Sequence, residues 1–236
     1  MNLSNNAKPV TLVLGLFISL FISFFAVAQE SESESESEMS EEQIAYMQEI
    51  KEFWDNIDQV TGEITLPGGF ATLNVPDDYY YLSPEDTEEV LVSVWGNPPG
   101  SETLGMLMPQ IYTPFDKDSW AVTIEYVEDG YVSDEDANDI NYDKMLKQMQ
   151  KETSASNKQR ERAGYGSVEL LGWAESPFYS HNDKHLYWAK DLLFDGETRV
   201  LNYDIRTLGR KGVLSMTFIA STDQLGEVNG ARDDVL

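Results

Sequence analysis

The last third of the chain reads as four strands in succession, at 168–175, 185–194, 199–207 and 212–221. Two of them alternate cleanly. Leu201, Tyr203 and Ile205 face one way, against Asn202, Asp204 and Arg206. Leu214, Met216, Phe218 and Ala220 face one way, against Ser215, Thr217 and Ile219. A period of two with one apolar side is the mark of a strand that covers a core on one face. A run of this kind does not fit the strict strand–helix alternation of a parallel sheet.

Upstream, helices and strands are mixed. Ser40 followed by Gln43 forms a capping box, and Ile44, Met47, Ile50, Trp54 and Ile57 fall at helical spacing, which predicts a helix over 41–57 with one apolar stripe. Ile64 and Leu66 alternate with Glu63 and Thr65, and Ala71, Leu73 and Val75 with Thr72 and Asn74. Pro67-Gly68-Gly69 between them supplies a hairpin turn. A second helix opens at Ser83-Pro84, buries Val90, Leu91, Val94 and Trp95, and ends at Gly96. Strands follow at 104–112 and 120–128, with Trp120, Val122, Ile124 and Tyr126 on one face, and then a third helix over about 139–157. The order predicts a single α+β domain, a mainly antiparallel or mixed sheet with helices packed on it.

The domain has a leader. A polar stretch carrying Lys8 runs into the apolar block Val10–Phe25 and closes on Ala26-Val27-Ala28, the pattern of a secretory signal peptide. The 16-residue block is short for a membrane span of about 20 residues. Cleavage after Ala28 is the preferred reading, with an uncleaved anchor as its competitor. Residues 30–38, ESESESESE, have nothing apolar to bury and repel one another, so 29–40 reads as a disordered acidic linker. The expected division is thus 1–28 signal, 29–40 linker, 41–225 domain and 226–236 tail. The expected location is extracytoplasmic, in the periplasm or associated with a membrane.

No cysteine occurs, which removes disulfides, thiolate metal sites and lipid attachment through an N-terminal cysteine. The formal charge is −26. Loss of the signal leaves 15 basic against 42 acidic residues, a net of −27. A surface this acidic repels nucleic acid and anionic lipid.

Four segments have a familiar look: Leu66–Ala71 (LPGGFA), Trp95–Pro99 (WGNPP), Gly130–Ala137 (GYVSDEDA) and Leu201–Arg210 (LNYDIRTLGR) leading into Gly212–Leu214. Gly172-Trp173, Pro177 and Trp188-Ala189 lie between the last two. Over about 60–225 the chain resembles a bacterial family of uncharacterised membrane-anchored proteins, domain-of-unknown-function family 2167. The resemblance implies an exported domain followed by apolar C-terminal helices, and carries no activity. After Ala220 the chain reads STDQLGEVNGARDDVL, without an apolar run. The expectation is either a fragment or a member without that anchor.

Three groups of residues are candidates for chemistry. Asp134, Asp136, Asn138 and Asp139 crowd one segment, as oxygen ligands do in a calcium loop. However, Asp139 stands where an EF-hand needs Gly, and Met145 where it needs Glu. The competing reading is a helix N-terminus capped by Ser133 and Asp136. His181 and His185 are the only histidines, at a spacing that clamps zinc on a helix. Pro177 and Asn182-Asp183 instead suggest a loop leading to a strand. Arg206, Arg210 and Lys211 form the third group, with Arg199 near them and Lys158, Arg160 and Arg162 forming another basic cluster. They either pair with the chain's own acids or make an anion site, where planar guanidinium groups and glycine-flanked backbone N–H groups hold a carboxylate or phosphate. Trp95, Trp120, Trp173 and Trp188 either pack in the core or line a groove.

No nucleophile elbow, phosphate loop or dinucleotide fingerprint is present, and no cofactor is implied. The sequence therefore predicts a non-enzymatic extracytoplasmic module that binds an unidentified ligand or envelope protein, reaching the membrane, if at all, through an uncleaved N-terminus or a missing C-terminal anchor. The alternative is a hydrolase or metal-dependent enzyme built on Asp134, Asp136 and the histidines.

Overall fold

The computed structural model describes residues 40–69, 71–135 and 137–236. The expected signal and nearly all of the linker lie outside the described residues, as does Asp136. The chain folds as one α+β domain around a seven-stranded sheet, with a separate two-stranded hairpin.

Helix α1 (Glu41–Asp55) opens with the expected capping box: the Ser40 hydroxyl accepts from the Gln43 N–H, and the Gln43 side chain accepts from the Ser40 N–H. Its apolar stripe is only half used. Ile44 and Met47 are 46% and 53% exposed, while Phe53, Trp54 and Ile57 reach the core. Helical periodicity records which residues share a face; it does not guarantee a partner along the whole face.

Strands β1 (Gly62–Thr65) and β2 (Thr72–Val75) pair antiparallel through the Pro67–Gly69 turn, where Gly68 and Gly69 take positive φ. Strand β3 (Tyr79–Leu82) has no counterpart in the sequence reading. Tyr79 and Tyr81 enter one core cluster while Tyr80 and Leu82 enter another. A strand buried on both faces shows no polar alternation to read. Helix α2 (Pro84–Glu89) starts where expected, with the Ser83 hydroxyl accepting from the Asp86 N–H at 3.1 Å. A wider turn over Val90–Val94 continues it to Gly96, which takes a φ of 68°.

Strands β4 (Met106–Pro109) and β5 (Ala121–Val127) precede helix α3 (Tyr142–Arg162). Strands β6 (Val168–Ser180), β7 (His185–Phe194), β8 (Thr198–Leu208) and β9 (Val213–Ser221) then run as a meander. The sheet order is β3-β4-β5-β9-β8-β7-β6, and every pairing is antiparallel.

The two faces of the sheet are covered differently. The first carries the main core, with Tyr203 and Phe218 fully buried, and is roofed by Leu66 and Val75 of the hairpin region. Burying each large side chain is worth about 1.5–3 kcal/mol. The second face carries the α1–α2 cluster at one end and α3 at the other, where Leu146 and Met149 pack on Leu170 and Leu192.

The segment read as a tail belongs to the core. Helix α4 (Leu225–Ala231) packs on the first face, with Val228, Ala231 and Val235 all buried. The Arg232 guanidinium donates to the Tyr203 hydroxyl at 2.7 Å, and the Asn229 amide to Glu175 at 2.8 Å. Val228, Ala231 and Val235 stand at helical spacing, but Gly226 and Gly230 disfavour a helix on local grounds. The sheet face supplies the reason to form one.

Candidate functional site

The turn between β8 and β9 is the best-defined candidate. Gly209 N–H donates to the Gly212 carbonyl at 2.8 Å and closes a tight connection. Gly212 lies against the end of β5: a Cβ there would stand 2.1 Å from the Val127 carbonyl oxygen and 2.8 Å from the Tyr126 ring. The Gly130 N–H donates to the Lys211 carbonyl at 3.1 Å, which holds the turn to the loop after β5. Arg210 and Lys211 are exposed at its tip.

These residues border a half-open groove of about 660 Å³, lined by Ala71, Tyr126, Thr207, Gly209, Arg210, Lys211, Gly212 and Leu214. Register explains the lining. Thr207 pairs with Leu214, and Leu214 with Tyr126, so the three form one row across β8, β9 and β5. The Thr207 hydroxyl is buried without a hydrogen-bond partner among the described residues.

Arg206 does not join this site. Side chains alternate between faces along a strand. Arg206 therefore projects from the second face, opposite to Thr207, and its guanidinium lies 5.0 Å over the Trp188 ring. The expected trio is thus reduced to Arg210 and Lys211. Of the other clustered basic residues, Arg199 meets the fate foreseen in the pairing alternative, while Arg160 contacts a backbone carbonyl and a ring. Arg199 forks onto Asp191, with Nε 3.1 Å from Oδ1 and a second contact from Nη2. Arg160 donates to the Gly166 carbonyl at 2.7 Å and lies over Tyr165. Among the described residues, neither Arg210 nor Lys211 makes an ion pair.

The structure brings together part of the metal candidate. Asp134 accepts from the Tyr179 hydroxyl at 2.8 Å and from Lys184 Nζ at 2.5 Å. His181 stands 3.8 Å from the same carboxylate and 3.1 Å from Asn138 Oδ1. The Lys184 ammonium, then the Tyr179 hydroxyl, hold the Asp134 carboxyl down at about 2. Tyr179 is pushed up to about 12 by burial and by Asp134. His185 lies apart at the start of β7, with Nδ1 3.0 Å from the Tyr187 hydroxyl, and burial lowers its pKa. No group of three or more His, Asp or Glu able to hold a metal occurs among the described residues. An ammonium already fills the cation position on Asp134.

The helix-cap alternative for this segment pairs Ser133 with Asp136, which lies outside the described residues; among the described residues the Ser133 hydroxyl accepts from the Glu135 N–H at 3.3 Å. Helix α3 starts later, capped by Asn141 accepting from the Lys144 N–H at 2.8 Å. Tyr179 and Lys184 carry no signal in the sequence, because 177–184 reads as a loop, whereas β6 runs through Pro177 to Ser180 on a series of register shifts. Of the tryptophans, Trp120 and Trp188 are buried, and Trp95 and Trp173 half-buried.

The family described as "Protein of unknown function (DUF2167)" matches residues 58–236. The chain belongs to this family. The match takes in the whole sheet, the groove and α4, so the DUF2167 unit includes the segment that reads as a tail. No curated protein sequence matches the chain. Among solved structures, this DUF2167 chain is similar to cyanobacterial PsbP (CyanoP) from Synechocystis sp. PCC 6803, a solution structure. The identity is 12% and the TM-score 0.39, over 76% of this chain and 88% of that one. At that score the fold assignment rests on the strand order above. Among the described residues no helix is long and apolar enough to cross a membrane.

Proposed function

We propose that this DUF2167 chain is an extracytoplasmic, non-catalytic binding module that takes an anionic group at the Arg210–Lys211 turn. The observation that carries the reading is charge pairing. The chain has 42 acidic residues, yet these two neighbouring cations have no carboxylate partner among the described residues. Unpaired cations beside a groove hold an anion by charge-assisted hydrogen bonds. The acidic residues elsewhere on the chain oppose this little, because at physiological salt fields are screened beyond about 8 Å. The extracytoplasmic part rests on the leader over residues 1–29.

The metal-dependent alternative is less favoured, since Lys184 and Tyr179 occupy the Asp134 carboxylate, one of the two on which it depends. The test is titration of the purified chain with inorganic phosphate, followed by chemical shifts of the 207–214 backbone amides. Saturable shifts confined to this turn are expected, and the paired change Arg210→Ala with Lys211→Ala should abolish them. Shifts that survive the paired change overturn the reading. For location, the intact mass of the chain from its own locus should correspond to a start at Gln29.

A further inference from the structure

The ligand of this groove has more to it than its charge. Resting on the anion reading above, we infer that the site takes an amphipathic anion: a phosphate or carboxylate head at the turn, joined to an apolar chain that lies along the row Thr207–Leu214–Tyr126.

Three observations point there. The first is size. A bare phosphate is as large as a few waters, each about 30 Å³, and would leave most of a 660 Å³ groove empty. Sites of about 300–1,000 Å³ hold whole small molecules. The second is polarity by position. Arg210 and Lys211 lie at the tip of the hairpin, and Thr207, Leu214 and Tyr126 form a row further in along the strands. At about 3.4 Å per residue, the tip and the row are separated by the length of several methylenes. The third is continuity with the core. Leu214 and Ala71 pack against the main apolar cluster while also lining the groove. A chain lying there would extend an existing apolar surface.

The head and the chain are separable by titration. Inorganic phosphate, butyl, hexyl and octyl phosphate, and octanol are titrated by calorimetry into the chain purified from expressing cells, each below its aggregation concentration. Affinity is expected to rise about four-fold per added methylene, the equivalent of 0.8 kcal/mol per buried CH₂, and to level off once the groove is full. Octanol should bind at least ten-fold more weakly than octyl phosphate. Leu214→Gln should flatten the chain-length dependence. If that variant fails to fold, Ala71→Gln, neutral and on the half-exposed hairpin, serves the same purpose. Equal affinity for inorganic and octyl phosphate overturns this inference and leaves the anion reading standing. Octanol binding as tightly as octyl phosphate overturns the anionic head. Failure of every phosphate to bind overturns the anion reading with it.

Discussion

Gly212 packs against Val127 so closely that a Cβ at residue 212 would lie 2.1 Å from the Val127 carbonyl oxygen. The three heavy atoms nearest to that Cβ, this oxygen and two of the Tyr126 phenol, belong to β5. The contact fixes where the Arg210–Lys211 turn sits, because it sets the height of the turn above the end of β5.

Gly212→Ala is therefore expected to destabilise the domain by about 1–3 kcal/mol, as overpacking does, and to weaken phosphate binding by displacing the turn. Thermal melts and the amide titration report the two effects separately. Unchanged binding in a destabilised variant would mean that the position of the turn does not matter for the ligand.

Asp134 should make stability depend on acid pH. Its folded carboxyl is held near 2, below the ordinary value of 3.8, first by Lys184 and then by Tyr179. A lowered folded value stabilises the fold above the unfolded value and loses that contribution as the pH falls through the folded one. The difference in denaturation midpoint between the natural chain and Asp134→Asn should be constant above about pH 5, shrink between about 4 and 2, and vanish below. A difference that stays constant down to pH 2 contradicts the assignment.

Asp204 is a buried charge with a defined partner. It is 6% exposed, with Lys190 Nζ 3.0 Å from Oδ2 and the Thr217 hydroxyl 3.1 Å from Oδ1. Asp204→Ala strands the ammonium and should cost about 3–5 kcal/mol, while replacing the pair together by Lys190→Met and Asp204→Leu should cost far less. Urea denaturation of Lys190→Met, of Asp204→Leu and of the double variant measures the coupling. Additive losses would show that the pair contributes no coupling energy.

Val228 tests whether α4 is structural. Its side chain is fully buried against the sheet. Val228→Ala removes two carbons' worth of burial and leaves a cavity, for an expected loss of about 2 kcal/mol. Deletion of 226–236 should be more damaging than this point change. A deletion without effect on the melting temperature would return the segment to the status of a tail.

Local chemistry along the chain determined most of the elements. Ser40 and Ser83 cap the helices they precede, Pro67–Gly69 makes its turn, and the alternation of Leu201–Arg206 and Leu214–Ala220 assigns the faces of β8 and β9. Half of the candidate site was legible in the same way: Arg210 and Lys211 between two glycines. Their lining was not, because Ala71, Tyr126 and Thr207 meet only through strand pairing and the roof of the hairpin. The Asp134–Lys184 contact joins residues 50 apart, and no local pattern encodes it. Strand β3, buried on both faces, and α4, with few apolar residues, owe their form to the sheet they complete. Period and capping report interactions within a few residues. Which apolar face finds a partner, and which cation is left without one, depends on packing between distant segments, and only the tertiary structure decides that.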